Sequence, residues 1–178
     1  MNNRSITTIA RRYVGIKGFT VGQSEESKFF MHDLKAVRWE RGDPLDLAFA
    51  RMCYHRYYKD RPGLLALEGK QTVFACLNVK HSPYWLTHRD RPESGDLMFC
   101  RCTKTTRPDM YHVAIVDSPV NSTKHITTFE TPLFITNWGG EMRIVKNTLR
   151  NPHSMFDLEL VFFARLIKPT VVTSIRGK

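Results

Sequence analysis

Gly95-Asp96-Leu97-Met98-Phe99, followed by Tyr111-His112-Val113-Ala114-Ile115-Val116, is the stretch on which the fold reading turns. A Gly-Asp turn opens one apolar β-rich run, and a histidine then opens the next with aliphatic residues behind it. From Gly95 onward the same texture repeats. Short β-rich runs at 97–102, 112–116, 126–129, 142–145 and 158–167 are separated by turn residues. This spacing predicts an antiparallel sheet in the second half of the chain.

Upstream the pattern is helical. Residues 27–39 suit one helix, and Asp43-Pro44 predicts the start of a second, with Asp43 as N-cap and Pro44 at the first helical position. In that second helix Leu45, Ala48, Phe49, Met52, Cys53 and Arg56/Tyr57 recur at steps of three and four, an apolar stripe that ends near Arg61-Pro62-Gly63. Helices followed by an antiparallel sheet predict an α+β domain with the helices packed on one side. At 178 residues, without repeats or a Pro/Gly/Ser-rich linker, the whole chain 1–178 reads as one domain.

The charge is the main compositional signal. With 27 Lys+Arg against 17 Asp+Glu the formal charge is +10, which favours anionic partners such as nucleic acid, anionic lipid or wall polymers. The basic residues are dispersed, so a generally basic surface competes with any dedicated patch. Four irregularly placed cysteines, Cys53, Cys76, Cys100 and Cys102, predict reduced thiols rather than a disulfide framework. The Cys100-Arg101-Cys102 spacing lacks a second close pair, and His81 and His88 would reach it only by folding back, so no metal or cofactor is expected. The basic N-terminal stretch, with Arg4 and Arg11-Arg12, has no continuous apolar core of a secretory signal, and no run approaches a membrane span. Cytoplasmic synthesis is therefore expected, with any export by lysis or by packaging into a virion.

The order of Gly-Asp strand, His strand and a third strand ending in Glu130 resembles the papain-like cell-wall peptidases of the NlpC and CHAP type, over roughly residues 36–169. Basic extensions flank that region. The resemblance implies His112 as general base and Glu130 as the residue orienting its ring, with Asn137 a second candidate for that role. It also implies a cysteine at the N-terminus of the preceding helix. The segment Trp39-Glu40-Arg41-Gly42-Asp43-Pro44-Leu45-Asp46-Leu47 is similar to the stretch that carries this cysteine, and in that register Leu47 stands at the nucleophile position. Leucine has nothing to ionise, whereas a helix N-terminus would stabilise a thiolate. In a CHAP register Cys53, followed by Tyr54, Tyr57 and Tyr58, takes the nucleophile position instead. Its place on the apolar stripe, well inside the helix, equally suits a small buried hydrophobe. The competing reading of His112 is a strand-opening histidine that hydrogen-bonds a neighbouring loop.

Three functions follow as expectations. The first is a papain-like module with a decayed site, serving as a virion or tail component at the cell wall, with peptidoglycan or another anionic wall polymer and other virion proteins as partners. The second is an active peptidoglycan amidase or endopeptidase using Cys53, His112 and Glu130. A third is a basic nucleic-acid-binding domain, for which charge is the sole support. All three share one consequence of the charge. Retention on an anionic polymer should fall steeply as salt is raised, because displaced counterions drive the binding; retention that is equal at low and high salt would exclude a charge-driven partner.

Overall fold

The computed structural model describes residues 5–14, 25–40, 43–59, 61–89, 92–102, 110–119, 125–130, 145–150 and 158–167, the backbone alone for 26–27, 102, 118–119, 125–130, 145–150 and 158. Among the described residues, four helices precede a six-stranded antiparallel sheet. The helices are α1 (Ile6–Arg11), α2 (Glu25–Ala36), α3 (Leu45–Tyr58) and α4 (Thr72–His81), with a 3₁₀ turn at Pro62–Leu67. The strands are β1 (Trp85–His88), β2 (Leu97–Cys102), β3 (Tyr111–Pro119), β4 (His125–Glu130), β5 (Val145–Arg150) and β6 (Leu158–Leu166), in the spatial order β1-β6-β2-β3-β4-β5. The expected α+β class holds, and the strand that begins with Tyr111-His112 lies in the sheet interior between β2 and β4. Among the described residues no helix is long and apolar enough to cross a membrane.

Local chemistry explains where the helices begin and end. Ser5 caps α1 by accepting the Thr8 N–H at 3.1 Å. Helix α2 stops three residues short of the expected Trp39. The Trp39 N–H bonds the Leu34 carbonyl, the Arg38 N–H bonds the Lys35 carbonyl, and Arg38 adopts φ 57°, the left-handed C-terminal turn usually given to glycine. The start of α3 also differs from expectation. Pro44 is itself the cap residue, and the Asp43 carboxylate accepts the Glu40 N–H at 3.0 Å instead of capping the helix.

Helix α3 is the hub. Every residue from Leu45 to Tyr54 is buried, so the expected single stripe becomes burial on all sides. Sequence periodicity underestimates this because α3 packs against α1, α2, α4 and strand β3 at once. A polar seam fastens the first of these contacts. Tyr13, just after α1, donates its hydroxyl to Asp33 of α2, and Arg56 of α3 reaches the same carboxylate at 2.6 Å. On the sheet, alternation sends Leu97, Phe99, Val113, Ile115, Phe162 and Ala164 into the core shared with the helices. Met98, Cys100, Ala114, Val116 and Phe163 form a second buried cluster on the opposite face.

The Gly95-Asp96 pair has a structural role that its turn signature alone does not reveal. Gly95 sits at φ 92°, a conformation open to glycine and strained for other residues. Its carbonyl accepts the Tyr54 hydroxyl of α3. The buried Asp96 carboxylate then receives Arg165 of β6 in a two-pronged pair, both contacts at 2.9 Å, and the Glu93 N–H at 2.7 Å. One turn thus joins β2, β6 and the hub helix.

Gly63 marks a tight approach at the sheet edge. Its carbonyl accepts the Trp85 indole N–H at 2.7 Å, and a methyl group there would collide with the Leu166 side chain and come within 2.8 Å of Tyr84 Cβ. Gly63→Ala should therefore lower the unfolding free energy by about 1–3 kcal/mol. Urea denaturation checks this, and an unchanged midpoint would place the 3₁₀ turn farther from β1 and β6.

Candidate site at the start of helix α3

Two chain positions far apart in sequence meet where α3 and β3 begin. Asp46, in the first turn of α3, and His112, second residue of β3, are both buried, at 6% and 1% exposure. Their side chains meet with Oδ2 3.0 Å from the ring Nδ1. The same Oδ2 accepts the backbone N–H of Val113 at 2.9 Å, and Oδ1 accepts the N–H of Leu47 at 2.8 Å and the Thr72 hydroxyl of α4 at 3.4 Å. The 3.0 Å contact is made when His112 presents an N–H at Nδ1 to the Asp46 oxygen.

The arrangement answers a backbone need. Pairing of β3 with β4 begins at Ile115, so among the described residues the Val113 N–H has no ladder partner, and Asp46 supplies the acceptor. The helix N-terminus next to Asp46 adds favourable partial positive charge. A buried carboxylate is costly unless it is hydrogen-bonded in this way, and four contacts meet that condition.

Chemically, a carboxylate fixing an imidazole is the base-and-orienter portion of a nucleophile–base–orienter set. The residues expected for that set are distributed as follows. His112 opens β3. Leu47 is buried at 1% exposure, facing the core with its N–H on Asp46. Cys53 lies two turns farther along α3, ~10 Å from Asp46 by helix rise. It is fully buried, beside the seam of Tyr13, Asp33 and Arg56, and burial pushes its thiol far above the usual range. Cys53 thus stands about two helical turns along α3 from Asp46, the residue that meets His112. Glu130 ends β4 opposite Val145; its side chain, and Asn137 entirely, lie outside the described residues.

No family model, characterised protein or solved structure matches the chain. The site's chemistry is therefore argued from its own atoms. The residue that sequence reasoning passed over is Asp46. It appears in the motif comparison simply as the acid before Leu47, yet it is the group that faces the histidine. Its signal was present in the sequence, because an acidic residue in the first turn of an otherwise apolar helix must find donors.

Two outcomes follow. Asp46→Ala strands the Val113 N–H, the Thr72 hydroxyl and His112, and should cost about 3 kcal/mol or more, with Asp46→Asn costing less because the amide still accepts. Loss of under about 0.5 kcal/mol by Asp46→Ala in urea would show the contact to be dispensable. Separately, burial raises Cys76 from the ordinary 9.0 to about 11, so the folded chain keeps a proton that the unfolded chain releases. That contribution is present in full below about pH 9 and is lost as pH rises towards 11. Denaturation midpoints measured across this window should fall more for wild type than for Cys76→Ala.

Proposed function

We propose that this chain is a papain-like domain of the NlpC and CHAP type that no longer performs hydrolysis and serves as a binding or assembly module at the bacterial cell wall, for example within a phage virion. One observation carries the reading. Leu47, at the nucleophile position of the resemblance, has nothing to ionise, and the group that meets His112 at the start of the helix is the Asp46 carboxylate. The helix terminus that would favour a thiolate here favours a carboxylate instead. Asp46 is also committed to Val113, Leu47 and Thr72, so it acts as a fastening between α3, α4 and β3. A carboxylate so engaged is a poor nucleophile toward an amide and suits a structural use of the frame.

The alternative of turnover through Cys53 is disfavoured by its placement. Its thiol is buried, two turns along α3 from Asp46, and held protonated by desolvation. The +10 charge supports an anionic partner, and a polyanionic wall polymer meets that requirement. Synthesis in the cytoplasm followed by packaging with other virion proteins would bring the module to the wall.

Incubation with purified peptidoglycan tests the proposal. Wild-type protein should release no muropeptides while sedimenting with the insoluble wall in a salt-sensitive manner, and Cys53 in the native protein should react with iodoacetamide no faster than the fold opens. Cleavage by wild type that disappears in both Cys53→Ala and His112→Ala, with folding intact, would replace this reading with an active hydrolase. Absence of sedimentation at low salt would remove the wall as partner.

A further inference from the structure

At the end of the sheet where β3 begins, strand β6 carries an irregularity. Phe99 pairs with Phe162 but Cys100 pairs with Leu160, so Val161 is an extra residue bulging from the β2–β6 ladder. The Val161 carbonyl is held by Arg89 Nε at 3.2 Å. Beside the bulge a row crosses three strands, Tyr111 on β3 opposite Arg101 on β2, and Arg101 opposite Glu159 on β6. These residues and Leu160 line a half-open recess of about 180 Å³. Bulges commonly re-aim side chains next to functional sites.

The donors in this recess exceed their partners. Arg101 Nη2 is taken by Glu159 Oε2 at 2.6 Å, and Arg89 spends Nε on Val161. The terminal Nη groups of Arg89, together with Arg101 Nε and Nη1, bond no described residue. Among the described residues, two guanidinium groups against one carboxylate leave a single excess positive charge. Val161 and Tyr111, which pack against the core on the helix side of the sheet, give the recess its apolar surface. A guanidinium fork matches a planar carboxylate in two-pronged fashion, and one excess charge suits a monoanion better than a dianionic phosphate, which Glu159 would also repel.

The geometry points to a recognition site for the free α-carboxylate of a short peptide ending in a small apolar residue, with Arg89 and Arg101 taking the carboxylate and Val161 and Tyr111 the adjoining methyl group. The site is independent of whether His112 supports chemistry. It deepens the proposed function, and rests on it, in one respect: the stem peptides of a wall polymer would be the source of such termini.

Titration of the ¹⁵N-labelled full chain with N-acetyl-alanyl-alanine, its C-terminal amide and inorganic phosphate tests this. The free acid should shift the amides of Arg101, Tyr111 and Val161 and the Arg89 side-chain signal, with the amide peptide weaker by about tenfold or more. Arg89→Gln and Arg101→Gln should each weaken the acid by a similar factor while the remaining spectrum stays folded. Equal binding of acid and amide, stronger shifts with phosphate than with the acid, or no shift at those residues at millimolar peptide would each overturn the site. Wall sedimentation that persists in Arg89→Gln with the recess silent would leave the wall-binding role standing and remove the recess from it; loss of sedimentation together with an intact peptide response would do the reverse.

Discussion

The Asp46 carboxylate is the constraint on which the rest of the structure depends. Helix α3 is buried over ten successive residues, so its position relative to the sheet must be set by more than apolar contact, which is non-directional. Asp46 supplies direction. It fixes the first turn of α3 to the backbone of Val113 and the ring of His112, and reaches α4 through Thr72. The cost of burying its charge is offset only when all these partners are present together, which makes the junction a specific one.

The other end of α3 is fastened by a separate device. Tyr54 reaches the Gly95 carbonyl, and Asp96 beside it grips Arg165 of β6. These two anchors hold one helix to β3 at one end and to the turn before β2 at the other. The Gly-Asp turn and the strand-opening histidine are therefore the two ends of the helix–sheet joint, which explains physically why the pair of motifs in the sequence was informative about the fold.

What could be read beforehand followed from local chemistry. Strand β2 was legible at both ends because a Gly-Asp turn precedes it, and α3 because Pro44 opens a dense apolar run. Helices α1 and α4 and strand β1 were not. Helix α4 exposes Phe74 and Leu77 while burying Ala75, Cys76 and Val79, and Gln71 gives it no side-chain cap, so neither periodicity nor a start signal marks it. Strand β1 has four residues and gains its identity by pairing with β6, far away in the chain. The site was half legible for the same reason. His112 announced itself through its strand, whereas the role of Asp46 depends on a partner 66 residues away and on the register that leaves Val113 N–H in need of an acceptor.

The most direct test of this account is an NMR measurement of His112 and Val113 in the intact protein. A carboxylate-bound Nδ1–H predicts a His112 ring that stays in the Nδ1-protonated tautomer at neutral pH, with its ring proton shifted downfield and slow to exchange, and a Val113 amide among the most protected in the sheet. A His112 ring that samples both tautomers, with a Val113 amide that exchanges as fast as those at fraying strand ends, would contradict it.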